Sequence, residues 1–175
     1  MIPLPYAQET MHGYEYAAAC LMLQNGLGDE GMAVVKSVRD RYDGEKRNPW
    51  NELECGSNYA RSMASYALLN VLSGFEFDMV QKRLGFNPIR HESVFQCFWS
   101  LDSAWGEFAL DGTSSRLKVH YGRLELNALG LPFTKNIQAV ILNNEHVEFD
   151  YQDGYIQFAK PLILKQGERL EVTLA

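Results

Sequence analysis

From Tyr59 to Gly74 the chain carries a single charge, Arg61, among residues that are otherwise small, apolar or uncharged. A helix of that composition has no polar face to give to water and needs cover on every side. Two helical stretches precede it. Tyr6 to Asn25 contains the run Ala17-Ala18-Ala19-Cys20-Leu21-Met22-Leu23 and stops at Gly26, a natural helix end. Asp29 is placed to cap a second helix reaching about Tyr42, with Met32, Val35 and Val38 at three-residue spacing on one face. The third is expected from about Asn58 to Leu72, closing at Ser73-Gly74. Three helices cannot cover one another to that extent. The amino-terminal part therefore wants helical partners, either from an oligomer or from a longer chain of which this is a piece.

Near residue 75 the pattern changes to short β-rich runs divided by turn residues. Strands are expected at Phe95 to Ser100, Trp105 to Leu110, Leu117 to Tyr121 and Leu124 to Leu129. Others follow at Ala139 to Leu142, His146 to Phe149, Tyr155 to Phe158 and Arg169 to Leu174. Asn143-Asn144 and Asp153-Gly154 have the chemistry of two-residue hairpin turns. Such spacing predicts an antiparallel sheet or sandwich. The fold class is α+β, with a helical part over residues 1–74 and a β-rich part over 75–175.

Charge and cysteine content exclude several roles. The formal net charge is −6 with both signs mixed along the chain, so no basic footprint for nucleic acid or an anionic membrane is present. Cys20, Cys55 and Cys97 are far apart and odd in number, which fits neither a disulfide framework nor a zinc spacing. Reduced thiols in a cytoplasmic protein are the expectation. Met1-Ile2-Pro3-Leu4-Pro5 lacks the basic region of a signal peptide, and no apolar run is long enough for a transmembrane segment.

Arg61 is the sharpest chemical feature. A guanidinium keeps its charge, and burying it without a partner is too costly to persist. Glu52 and Glu54 lie nine and seven residues upstream on the connection from Asp43 to Ser57, where carboxylates also favour the positive end of a following helix. The same stretch holds Asn48, Asn51, Ser57, Asn58 and the indole of Trp50. Carboxylate, guanidinium, amide and indole together suit a sugar, whose hydroxyls they grip and whose apolar face a flat ring covers. On the pattern alone, a buried Glu–Arg clamp that only fixes the loop is the favoured reading. Glu52 and Glu54 sit too close on one loop to flank a glycosidic bond as a catalytic pair.

Weaker candidates are His12 and Glu15 on the first helix, where a lone acid usually pairs with an arginine. Asp40, Asp43 and Glu45 could hold a cation with backbone oxygens, but a solvated helix end and turn accounts for them as well. His91, His120 and His146 are dispersed without ligand spacing. No metal or cofactor is expected.

The run from Arg39 to Ser65, RDRYDGEKRNPWNELECGSNYARSMAS, resembles the family 116 glycoside hydrolases, the bile-acid β-glucosidase or non-lysosomal glucosylceramidase type. It contains an Arg-Tyr-Asp-Gly stretch, then Asn-Pro-(aromatic)-Asn-Glu-x-Glu-Cys-Gly, then Tyr-x-Arg-x-Met-Ala-Ser. Upstream, Met11-His12-Gly13-Tyr14-Glu15-Tyr16 is close to the family's Met-x-Gly-(aromatic)-Glu-Tyr. Downstream, Phe98-Trp99-Ser100 and Trp105-Gly106 extend the likeness. Asn58 stands where some members carry His.

The resemblance implies that residues 1–74 are the last helices of an (α/α)6 six-hairpin catalytic barrel, followed by an antiparallel β-rich region. It implies retaining hydrolysis of β-glucosides by a Glu nucleophile and an Asp acid/base that both lie upstream of this segment, so neither maps to a residue here. What it carries over is a glucose-binding role for Glu52 and Arg61; Trp50, Glu54 and Asn58 are implicated only by proximity. The expected ligand is a β-glucoside or glucose-like molecule, and the expected partner is the amino-terminal remainder of the enzyme or a homo-oligomer. The alternative is a non-catalytic carbohydrate-binding or subunit-like protein completed by another chain.

Overall fold

The computed structural model describes residues 11–49, 61–89 and 94–175. The chain divides into two compact units that part between Val71 and Leu72. The fold is mixed α+β, with three α-helices and ten strands among the described residues.

In the first unit, helix α1 spans His12–Gln24 and α2 spans Gly28–Arg41. The expected stop at Gly26 holds, since Gly26 has a positive φ of 80° and its N–H bonds the Leu23 carbonyl. Asp29 does not cap α2. Leu27 takes the cap position without a side-chain bond, and Asp29 and Glu30 sit in the first turn, where they complement the helix dipole. The next described element is a 3-10 turn over Arg61–Tyr66, which widens into α3 over Ala67–Ser73. Asn58 lies outside the described residues, so the expected start of that helix does too.

Tyr16, Val38 and Tyr42 form the small core of this unit, with Val35, Ala64 and Leu68 packed on it. The apolar third segment is not enclosed. Met63 is 66% exposed, Tyr66 71% and Leu69 56%. Tyr14 and Leu21 on α1 are exposed as well. The shortfall in cover that composition predicts is therefore visible at named side chains.

The second unit is built on strands. Glu76–Asp78 (β1) pairs antiparallel with Arg83–Gly85 (β2), and neither was evident in the sequence. Strands β3 (Phe95–Ser100) and β4 (Ala104–Leu110) form a hairpin in register Trp99↔Gly106. The two runs expected at 117–121 and 124–129 are one strand, β5, over Ser114–Gly130. Beyond it lie β6 (Ile137–Leu142), β7 (Glu145–His146), β8 (Phe149–Gln152), β9 (Tyr155–Lys165) and β10 (Arg169–Leu174).

Strand β5 organises the whole unit. Its first half pairs with β4 and β10, while its second half pairs with β9 and, in parallel, with β2. The strand changes partners at Gly122, whose φ of 87° suits glycine and whose Cα faces the Ser103 carbonyl so closely that an added Cβ would lie 2.1 Å from its oxygen. Asn143-Asn144 and Asp153-Gly154 close two-residue hairpins with both residues at positive φ, as their chemistry predicts. Inward residues of both halves, including Trp99, Phe108, Leu117, Leu124, Ile156 and Val172, merge in one core. The alternation of buried and exposed positions along β4 explains that core directly, since successive side chains point to opposite faces.

Candidate functional site

His12 opens α1 and is 2% exposed. Its ring lies 4.2 Å from that of Tyr42, at the end of α2, and meets Tyr16 edge-on at 6.2 Å. The spacing of His12 and Tyr16, one helical turn apart, puts both on the same face of α1. That face and the carboxy-terminal end of α2 form one side of a groove of about 470 Å³. Arg39, Tyr42, Asp43 and Pro49 contribute from α2 and the turn after it. Ser62, Met63, Ser65 and Tyr66 contribute from the segment that begins at Arg61.

Arg61 begins the segment that supplies the groove's second wall but is not itself among the residues that line it. Its Cβ and carbonyl lie against Gly13, where an added Cβ would meet both at 3.4 Å. A side chain at position 13 would make ordinary contact with Arg61, so the two positions are direct neighbours. Glu52, Trp50, Glu54 and Asn58 lie outside the described residues. Of the sugar-binding residues expected from sequence, the structure thus describes Arg61 alone.

The turn after α2 is fixed by Asp43. Its carboxylate accepts the backbone N–H groups of Glu45 and Lys46 at 3.0 and 2.8 Å and the Lys46 ammonium at 2.9 Å. These donors, the Lys46 amide foremost, hold the Asp43 carboxyl down to about 2. Lys46 Nζ also donates to the Asp40 carbonyl at 3.0 Å, and the Asp40 carboxylate pairs with Lys36 at 2.5 Å. Of the carboxylates considered for a cation, Asp40 and Asp43 are therefore occupied by lysines and turn amides. Among the described residues no group of three or more metal-ligating side chains is assembled. Arg47 lies over the Tyr42 ring at 5.7 Å and closes the end of the turn. Glu15 pairs with Arg41, joining α1 to α2.

Asp43 is the one carboxylate among the described residues lining the groove, and it is already committed to its turn. The remaining polar lining supplies the Arg39 guanidinium, tyrosine rings, two serine hydroxyls and an imidazole. Rings, hydroxyls and a guanidinium of that kind can hold a polyhydroxylated ring: they offer apolar faces and hydrogen-bond donors. Tyr42, Tyr66, Ser62 and Ser65 were not singled out in the sequence. The available signal was the position of Tyr42, Ser62 and Ser65 inside the Arg-Tyr-Asp-Gly and Arg-x-Met-Ala-Ser stretches at either end of the motif, with Tyr66 directly after it.

His120 and His146 belong to the second unit, and His91 lies outside the described residues. His120 bonds the Glu107 carboxylate at 3.1 Å. No described helix is long and apolar enough to cross a membrane.

No protein-family model matches the chain, and no curated protein matches it in sequence. Among solved structures it is similar to a GH127 β-L-arabinofuranosidase from Geobacillus stearothermophilus T6, with 16% identity and a TM-score of 0.41 over 79% of this chain and 22% of that one. It is also similar to a second GH127 β-arabinofuranosidase, with 15% identity and a TM-score of 0.42 over 66% of this chain and 21% of the other. This chain thus spans about a fifth of either enzyme. Neither likeness transfers a residue or a reaction.

Proposed function

We propose that this chain is the carboxy-terminal part of a retaining β-glucosidase of the glucosylceramidase-like type, supplying glucose-binding residues to a site whose nucleophile and acid/base come from elsewhere. One observation carries the reading. The upstream stretch of the family 116 resemblance, 11–16, and the two described ends of its central run, 39–44 and 61–65, contribute to the walls of a single groove.

In this reading Arg61 and Glu52 orient a glucose ring by hydrogen bonds that strengthen toward the transition state. Trp50, Glu54 and Asn58 stand close to it. The helices are the last of an (α/α)6 barrel, and the ligand is a β-glucoside or glucose-like molecule. Titration of the chain with glucose or a gluco-configured iminosugar, followed by NMR, tests the binding step. Saturable shifts centred on Gly13, Tyr42 and Arg61 are expected; shifts spread over the surface without saturation overturn it. In a full-length homologue, replacing the residue equivalent to Arg61 with alanine is expected to raise KM and lower turnover. Unchanged kinetics removes the assignment.

A second reading is favoured by the exposed side chains of the helical unit. Met63, Tyr66 and Leu69 are apolar, neighbouring on one segment and open to solvent. A non-catalytic, subunit-like protein completed by another chain, or by copies of itself, would bury them. Co-purification with a larger polypeptide or a concentration-dependent rise in sedimentation coefficient favours this reading. A stable monomer without such a partner removes it.

A further inference from the structure

Helix α1 ends at an Asn-Gly pair. Of the chain's ten asparagines, Asn25 alone precedes a glycine; the others precede proline or a residue with a side chain. The pair is first of all a stop signal. Asn25 takes the C-cap position, and Gly26 follows it in the left-handed region with φ 80°. The Gly26 N–H donates to the Leu23 carbonyl at 3.2 Å and the Leu27 N–H to the Met22 carbonyl at 3.0 Å, the paired closure of a Schellman motif. The Asn25 side chain adds a third bond, its Nδ2 donating to the Leu21 carbonyl at 2.8 Å.

The same pair is chemically reactive. A bond from the Gly26 nitrogen to Asn25 Cγ closes a five-membered ring, and a glycine leaves that nitrogen unhindered and its backbone free to turn. Both residues are exposed, and a Cβ built on Gly26 would meet nothing within 4 Å, so water reaches the pair freely. The cap holds the reaction back. The attacking N–H is tied to Leu23 and the leaving amide to Leu21. Asn25 has ψ 16°, and the ring forms only when that bond rotates to swing the Gly26 nitrogen toward the side chain, which breaks the Gly26–Leu23 bond. Helix ends open locally at low cost, so the fraying of one turn gates the chemistry. Asp43-Gly44, Asp111-Gly112 and Asp153-Gly154 close the same ring by losing water and reopen with no change in charge.

We propose that Asn25-Gly26 is a self-modifying site, where fraying of the last turn of α1 lets the Asn25 amide convert to aspartate and isoaspartate with water as the only co-reactant. The Gly26 nitrogen bonds to Asn25 Cγ, the Cγ–Nδ2 bond breaks, and ammonia leaves with the proton that Gly26 gives up. Water then opens the cyclic imide at one of its two carbonyls. Opening at Cγ gives aspartate; opening at the main-chain carbonyl gives isoaspartate, with the chain routed through Cβ. Either product adds a negative charge to a chain already at −6, at the helix end where the dipole disfavours one, and removes the donor to Leu21. Isoaspartate also lengthens the main chain between Met22 and Leu27, so their closing bond is lost. The turn that sets α1 against α2 then loosens beside a tight contact: a Cβ on Gly31 would lie 2.8 Å from Leu23 Cγ. The site uses no lining residue of the groove and does not rest on the glucose-binding reading.

The test is ageing of the full chain at neutral and mildly alkaline pH, natively and in guanidinium chloride, followed by peptide mapping, alongside Asn25→Gln. Loss of one amide is expected at Asn25 ahead of every other asparagine, with isoaspartate as the larger product. The native rate is expected to be about tenfold or more below the rate in denaturant, because the cap must open first. Asn25→Gln is expected to keep its charge at this position, since the longer side chain would have to close a six-membered ring. Aged wild type should unfold at a lower temperature than fresh protein, and aged Asn25→Gln at the same temperature as its fresh form. An amide lost first at another asparagine overturns the site. Equal rates natively and in denaturant overturn the cap as the gate, and modified protein that melts like fresh protein overturns the loosening. If Asn25→Gln does not fold, Asn25→Ser, which has no amide to lose, carries the same comparison.

Discussion

Trp99 and Gly106 face each other across the β3–β4 ladder, and the indole occupies the space that a side chain at 106 would need. A Cβ built on Gly106 would fall 2.8 Å from Trp99 Cζ2 and 1.8 Å from the Lys118 carbonyl oxygen on β5. The glycine is therefore required by close approach on two sides, one of them backbone that cannot rotate away. Gly106→Ala is expected to destabilise the β unit by about 3 kcal/mol or more, at the upper end of overpacking costs. Trp99→Ala should cost about 3–5 kcal/mol by leaving a large cavity in the core. Chemical denaturation monitored by far-UV circular dichroism checks both, with the midpoint falling and the slope unchanged. A Gly106→Ala protein of native stability would show that β4 and β5 can part freely.

The same strands show how far sequence reading reaches. Alternation placed β3, β4 and β10 closely, because each has one face in the core and one in water. The Asn143-Asn144 and Asp153-Gly154 turns were legible because their backbone demands positive φ. The continuity of β5 was not, since Gly122 has the composition of a turn but serves as the point where one strand changes partners. Strands β1 and β2 escaped because their residues are mostly exposed and their pairing, partly parallel, is set by distant β5. In the helical unit, Arg61 was legible as a lone charge in an apolar segment. The aromatic pairing of His12 with Tyr42 was not, because it joins residues from the start of α1 and the end of α2.

Asp43 offers a direct check of the turn that borders the groove. Its carboxyl is held at about 2, below the ordinary 3.8, first by the Lys46 backbone N–H and then by the Lys46 side chain. A depressed carboxyl contributes order above its unfolded pKa and loses it as pH falls through the folded value. The turn from Asp43 to Arg47 is therefore expected to hold at pH 5 and to loosen between about pH 4 and 2. Carboxyl carbon shifts of Asp43 followed by NMR should give a midpoint near 2. An ordinary midpoint near 3.8 would mean that the amide and lysine contacts do not persist in solution. Asp43→Ala should remove the transition and broaden Gly44 and Glu45 at every pH.

Glu15 and Arg41 tie α1 to α2, but both side chains are about a third exposed, at 30% and 34%. Water screens such a pair, and exposed ion pairs contribute about 0–1 kcal/mol. Glu15→Gln is accordingly expected to lower stability by under about 1 kcal/mol and to leave the His12–Tyr42 contact intact. Thermal unfolding in low and high salt separates the cases. Wild type and variant should converge as salt rises, because screening removes the attraction that the variant already lacks. A large loss that persists in high salt would mean that Glu15 fixes the helices by packing rather than by charge.

Cys97 lies on the inward side of β3, and burial pushes its thiol up to about 11, against weaker opposing bonds from Ser73 and the Phe108 backbone. The protonated thiol is the form the fold favours, so its contribution is complete below the ordinary value of 9.0 and is lost as pH rises through about 11. Two outcomes follow from that sign. Alkylation of Cys97 by iodoacetamide at pH 8 should be far slower in the native protein than in denaturant, because the reactive thiolate is scarce and enclosed. Between pH 9 and 11 the thermal midpoint of wild type should fall more steeply than that of Cys97→Ala, whatever cavity the smaller residue leaves. Tyr151 and Tyr155 are also raised and titrate in both proteins, so the difference between the two slopes isolates the thiol. Parallel slopes, with rapid alkylation of the native chain, would place Cys97 in contact with solvent and require β3 to open away from the core.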